Sequence, residues 1–166
     1  MSSHARIETG QRIPEAVLQV VRDGVEKIDT HSIFAGRKVV MFGVPGAFTP
    51  TCSERHLPGY IERFDEFRAR GIEVVCISVN DPFVMHAWGQ SAGVPDGLMM
   101  LADGNGDFTR ALGLQMDASA YGMGLRSKRY ALYAEDGVVR ALQVEAPGEL
   151  RVSTAESMLA QVPAAA

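Results

Sequence analysis

The run Pro45-Gly46-Ala47-Phe48-Thr49-Pro50-Thr51-Cys52 places one sulfur directly after an apolar stretch, Val39, Val40, Met41 and Phe42, and at the start of a helical pattern. A thiol is nucleophilic only as a thiolate. A helix N-terminus offers unpaired N–H groups and the positive end of a dipole, both of which favour S⁻. The chemistry to expect is that of a single reactive sulfur. No second cysteine follows at C-x-x-C spacing, because Ser53, Glu54 and Arg55 come next. Dithiol–disulfide exchange therefore lacks its partner. His56 lies one helical turn on and is a candidate supporting group, but no Asn or Asp stands in an evident place to orient it, as a cysteine protease requires. The second cysteine, Cys76, sits mid-strand among Val74, Val75 and Ile77, the setting of a small buried hydrophobe.

Metal chemistry has little support. His4, His31 and His86 are scattered, so neither a metal nor a cofactor is expected. Asp103-Gly104-Asn105-Gly106-Asp107 begins like a calcium loop. Its sixth position is Phe108 and its twelfth Leu114, where Gly and Glu are needed, so the stretch reads as a turn.

The elements that must position the sulfur follow from the pattern. Val17 to Val21 and Val25 to Ile28 flank Arg22-Asp23-Gly24 as a hairpin. Thr30 is placed to cap a short helical turn ending at Gly36. Lys38 to Val44 is a strand of the type buried on both faces. Thr51 and Glu54 form a T-x-x-E capping box opening a helix to Arg70, with Cys52 in its first turn. Leu57, Ile61, Phe64 and Phe67 make its inward stripe, and Pro58 predicts a kink. Ile72 to Val79 is a second buried strand. Asn80-Asp81-Pro82 opens a helix to about Gln90. Leu98 to Leu101 reads as a strand and Asp107 to Leu112 as a helix. Arg129 to Tyr133 and Val138 to Val144 form a hairpin around Glu135-Asp136-Gly137. Ser153 and Glu156 box the start of a final helix to Val162, and Pro163 to Ala166 is expected to fray. Parallel crossovers between antiparallel ends predict an α/β, thioredoxin-like three-layer sandwich with a mixed central sheet and an N-terminal hairpin.

With 166 residues, 46% of them hydrophobic, the chain is expected to fold as one domain, residues 1–166, with a core that needs no staples. A net charge of −4 gives no footprint for nucleic acid. No apolar run reaches membrane-spanning length. The N-terminus shows no apolar signal region, and two cysteines suit a reducing compartment, so a cytoplasmic location is expected.

The run Val44 to Tyr60 resembles the active-site signature of the type II, five-like peroxiredoxins, whose core P-x-x-x-T-x-x-C is filled here by Pro45, Thr49 and Cys52. The resemblance continues through Ser78 to Trp88, Asp103 to Phe108 and Arg126 to Tyr130, and spans roughly Ile13 to Val162. It implies a thiol peroxidase for hydrogen peroxide and small alkyl hydroperoxides. Cys52 would be the peroxidatic thiolate, oxidised to sulfenic acid. Thr49 would position the peroxide, Pro45 would shield the intermediate from water, and Arg129 would polarise the peroxide. Spacing alone does not separate Arg129 from Arg126. Some relatives carry a resolving cysteine before the last helix, where this chain has Glu149 to Ser153 and no thiol. Cys76 is then the other candidate resolving thiol, subject to the Cα separation of roughly 7 Å that a disulfide tolerates. The reading is a one-Cys cycle resolved by glutathione with glutaredoxin, or by thioredoxin. Relatives commonly pair as homodimers through loops around the site, to which Phe48, Phe83 and Trp88 would contribute. Met99, Met100, Met116 and Met123 would supply plastic packing or a subunit contact. The competing reading is a redox sensor or chaperone-like binding protein that uses Cys52 as a switch; a disulfide reductase ranks third.

Overall fold

The computed structural model describes residues 5–164, so His4 and the last two alanines of the expected frayed tail lie outside the described residues. The N-terminal hairpin forms as β1 (Val17–Val21) and β2 (Val25–Asp29), turned by Gly24 at φ 97°. The next helix, α1 (Thr30–Phe34), is capped by Asp29 and not by Thr30. Asp29 keeps an extended backbone and accepts from the Ser32 N–H at 2.8 Å. Thr30 is already helical, which frees its buried hydroxyl to donate to the Pro14 carbonyl at 2.9 Å.

After β3 (Lys38–Val44) the chain passes through the Pro45–Thr49 loop into an irregular helical segment. The expected capping box of Thr51 and Glu54 does not form. Thr51 is itself helical (φ −64°, ψ −39°) with no side-chain cap bond. The first turn is instead closed by the Ser53 N–H on the Thr49 carbonyl at 2.9 Å. Cys52–His56 form one π-helical turn, closed by the Leu57 N–H on the Cys52 carbonyl. The expected kink thus falls just ahead of Pro58. A proline ring collides with the carbonyl four residues back, and one extra residue in the turn relieves that collision. The segment goes on as α2 (Leu57–Glu62), breaks at Arg63, and resumes as α3 (Phe64–Ala69).

The remaining elements are β4 (Ile72–Ser78), α4 (Pro82–Ala92), β5 (Met99–Ala102), α5 (Asp107–Leu112), β6 (Gln115–Asp117), β7 (Leu125–Ser127), β8 (Tyr130–Glu135), β9 (Val138–Val144) and α6 (Ala155–Leu159). The carboxylate of Asp103 starts α5, accepting from the N–H groups of Phe108 and Thr109 and from the Thr109 hydroxyl. The calcium-like stretch is therefore a helix-start turn. The final helix is capped by Thr154, one residue later than expected, and ends at Leu159. Sequence reasoning proposed neither β6 nor β7, which pair with each other in a small separate sheet.

The seven-stranded sheet has the order β2-β1-β5-β4-β3-β8-β9. β5, β4 and β3 run parallel, and the flanking pairs are antiparallel. Alternate residues build two cores. Phe42, Val44, Val74, Cys76 and Tyr133 face one side with Cys52, Leu57, Trp88 and Met158. Val39, Met41, Val75, Ile77 and Leu132 face the other with Phe34, Phe108 and Leu112. Helices therefore cover both faces, as the expected sandwich requires. Gly43 on β3 has no substitute: a Cβ there would lie 2.2 Å from the Tyr130 ring on β8. No helix among the described residues is long and apolar enough to cross a membrane.

Candidate active site

Cys52 is fully buried inside the π-helical turn. Arg129 immediately precedes β8 and reaches back to it, its Nη2 donating to the Cys52 Sγ at 3.2 Å. The same guanidinium donates from Nη1 to His56 Nδ1 at 3.0 Å. A guanidinium has only donors, so Nδ1 is an acceptor and the ring proton sits on Nε2. Nε2 then donates to the Ser153 carbonyl at 3.0 Å, beside the Tyr60 hydroxyl, which donates to the same oxygen at 2.8 Å. The Ser153 segment is itself tied down by the Glu145 carboxylate. That carboxylate accepts from the N–H groups of Arg151, Val152 and Ser153 and from the Ser153 hydroxyl. A continuous hydrogen-bonded chain thus runs from Glu145 to the sulfur.

These bonds set the charges. Burial drives His56 down to about 3, Arg129 pushes in the same direction, and the Ser153 bond opposes. Arg129 therefore meets a neutral imidazole. Burial pushes Glu145 up, but its bonds to Ser153, Arg151 and Val152 outweigh it and hold the carboxyl below the usual range.

The His56 shift has a consequence for stability. The unfolded chain takes up its proton near pH 6.5, whereas the folded chain resists until about 3. Protons then favour the unfolded state, so stability present above pH 6.5 is lost as pH falls. At pH 5, still above the ordinary carboxylate range, the loss should be about 2 kcal/mol. Urea unfolding of the wild type and of His56→Gln at pH 7 and pH 5 measures it. Equal acid losses in the two proteins would remove His56 as the cause.

The loop before Cys52 is held from several sides. The Thr49 hydroxyl donates to the Gly46 carbonyl at 2.7 Å, which leaves its oxygen free only to accept. Phe48 adopts φ 63°, a left-handed conformation that costs a bulky residue roughly 1–3 kcal/mol. Asn80 Oδ1 accepts both the Ala47 N–H at 3.0 Å and the Ser78 hydroxyl at 2.6 Å. The Trp88 indole N–H donates to the Ser53 Oγ at 2.9 Å, next to the sulfur in sequence. Arg126 separates from Arg129 here. Its Nε and Nη1 donate to the carbonyls of Met123 and Val79, so it clamps two loops together and makes no bond to Cys52.

A cavity of about 380 Å³ is lined by Arg129, the hydrogen-bond partner of the sulfur, and among others by Pro45, Thr49, Met116 and Met123. Phe48 and Phe83 are exposed, but Trp88 is buried and so drops out of the expected surface contacts. Cys76 is also buried, on β4 opposite Phe42 of β3, and both cysteines are free thiols. Burial, with the Cys52 charge second, pushes the Cys76 thiol well up, away from the reactive thiolate form. Among the described residues no His, Cys, Asp and Glu group could hold a metal ion. Sequence reasoning missed Tyr60, Glu145 and Ser153. Ser153 carried a signal but was read as a helix cap. Glu145 and Tyr60 meet the site only through tertiary contact.

The chain matches the Redoxin family model over residues 8–159. It is 45% identical over 161 residues to Peroxiredoxin-2E, chloroplastic, of Arabidopsis thaliana, covering 93% of this chain and 69% of that one. It is 44% identical to Peroxiredoxin-2B of the same plant over 158 residues, covering 93% and 98%. This chain belongs to the type II peroxiredoxins. Its fold agrees: the reduced Prx3 of Vibrio vulnificus, solved in complex with hydrogen peroxide, superposes with a TM-score of 0.89 at 50% identity, covering 93% of this peroxiredoxin and 98% of that chain. The peroxiredoxin is a thiol-dependent peroxidase, and the sensor reading is not favoured.

Proposed function

We propose that Cys52 is the sulfur that reduces hydrogen peroxide and small alkyl hydroperoxides, with Thr49, Arg129 and Pro45 around it and His56 behind Arg129. The observation that carries this reading is the Arg129 Nη2 to Cys52 Sγ bond of 3.2 Å, with the Thr49 hydroxyl turned into an acceptor nearby. The thiolate attacks the terminal peroxide oxygen. An S–O bond forms, the O–O bond breaks, and the sulfur gives up two electrons. The leaving alkoxide or hydroxide takes a proton and departs as alcohol or water. Thr49 accepts from the hydroperoxide O–H and so aims it. The guanidinium follows charge as it moves from sulfur to the leaving oxygen, and stabilises that state more than the ground state. Pro45 stands on the cavity wall and keeps water from the oxidised sulfur.

Resolution is by an external thiol. It attacks the Cys52 sulfenic acid and releases water, and a second thiol then frees the mixed disulfide. Glutathione with glutaredoxin, or thioredoxin, supplies those thiols; burial disfavours Cys76 for the part. Exposed Phe48 and Phe83 support a homodimer contact beside the site. The two cysteines, both free, suit a reducing, cytoplasmic setting. Intact mass after one equivalent of peroxide tests the cycle. A gain of one oxygen, trapped by a sulfenic-acid reagent, is the expected result, and loss of two hydrogens would instead assign Cys76 as the resolving thiol. Cys76→Ser should keep turnover with glutathione and glutaredoxin largely intact.

A further inference from the structure

The cavity lined by Arg129 and Thr49 is far larger than hydrogen peroxide requires. Its volume of about 380 Å³ compares with roughly 30 Å³ for one water in the liquid. Its walls include Met116, Ala118, Met123 and Pro147, an apolar lining that deformable methionines fit to chains of different shape. Four charged residues also line it: Lys128, Arg129, Glu145 and Glu149. Three of them are engaged. Arg129 is spent on Cys52 and His56. Glu145 is spent on the backbone N–H groups and hydroxyl of the Ser153 segment. Glu149 faces the Arg151 Nε at 3.4 Å. Lys128 alone has neither an ion pair nor a side-chain hydrogen bond among the described residues.

We propose that Lys128 is a specificity-determining residue that selects organic hydroperoxides with an apolar body and a carboxylate. The apolar body lies against Met116 and Met123, the carboxylate meets the Lys128 ammonium, and the hydroperoxide group is presented to Cys52. The inference rests on the peroxidase reading above and adds a preference to it. An apolar wall with one free cation suits such an amphiphile better than a polar thiol tripeptide, whose own charges and amides would lose water against the methionines. The chemical step is unchanged: one peroxide oxygen passes to the sulfur, and the product is the corresponding hydroxy acid.

The test compares the hydroperoxide of a long-chain unsaturated fatty acid with that of its methyl ester, below micellar concentration. In the wild type the acid should have a kcat/KM about tenfold above the ester, the scale of one charge-assisted hydrogen bond. Lys128→Gln should erase that ratio, Lys128→Arg should keep it, and Lys128→Glu should reverse it. Raising salt should shrink it in the unmutated protein, which reads the same interaction should a variant not fold. Equal acid and ester rates in the wild type, or a preference that persists in a folded Lys128→Gln, would overturn the inference. So would a variant whose only change is a higher KM for glutathione, which would assign the cavity to the reductant. Hydrogen peroxide consumption by the wild type keeps the two readings apart: its absence would sink the peroxidase reading, whereas its presence without discrimination sinks only the role of Lys128.

Discussion

Cys52→Ser is expected to reduce hydroperoxide consumption to the background seen without protein. The oxygen of serine cannot give up two electrons to a peroxide and return to its starting state with a thiol, so neither half of the cycle survives. The substitution is small and the position is fully buried, and a serine oxygen can still accept from Arg129. The variant should therefore remain folded, and a melting curve beside the rate measurement confirms that the loss is chemical. A Cys52→Ser protein that still turned over hydroperoxide with added thiol would transfer the chemistry to Cys76.

Arg129→Ala should lower the second-order rate of Cys52 oxidation by about 10²–10³-fold, the scale on which a single preorganised donor acts in a transition state. It removes the N–H aimed at the sulfur and leaves His56 Nδ1 without its donor. Arg129→Lys should recover little, because one ammonium on a flexible stem cannot serve both partners with the geometry of a planar fork. Arg126→Ala should act differently. It releases the Met123 and Val79 carbonyls, so its main effect should be a lower melting temperature and a modest loss of rate. Stopped-flow oxidation of the two alanine variants decides the matter; equal slowing would mean that Arg129 has no special place.

The fold was legible in the sequence wherever the signal was local. Apolar runs at Lys38–Val44 and Ile72–Ser78, a glycine in the hairpin turn and the Asp81-Pro82 pair each specify their element within a few residues. The misreadings came from competition for polar groups. Asp29 displaced Thr30 as a cap because a neighbouring loop offered Thr30 a buried partner. Ser153 was displaced by Thr154 because Glu145 and His56 had already claimed it. The Cys52 turn became π-helical because Pro58 forbids the regular ladder, a constraint visible in sequence whose outcome depends on packing. The sulfur, the threonine and the arginine could be named from a motif. Glu145, Ser153 and Tyr60 could not, since the β9–α6 connection brings Ser153, held by Glu145, onto His56 and Tyr60, which lie 97 and 93 residues before Ser153.

The Trp88 to Ser53 bond gives this chain an internal optical probe. Trp88 is the only tryptophan, and its ring nitrogen is fastened to the residue next to the reactive sulfur. Unwinding of that turn must break the bond and let solvent reach the indole. Ultraviolet-excited emission from the unlabelled chain would then follow, in real time, whether the oxidised sulfur is still enclosed or has swung out to meet its reductant.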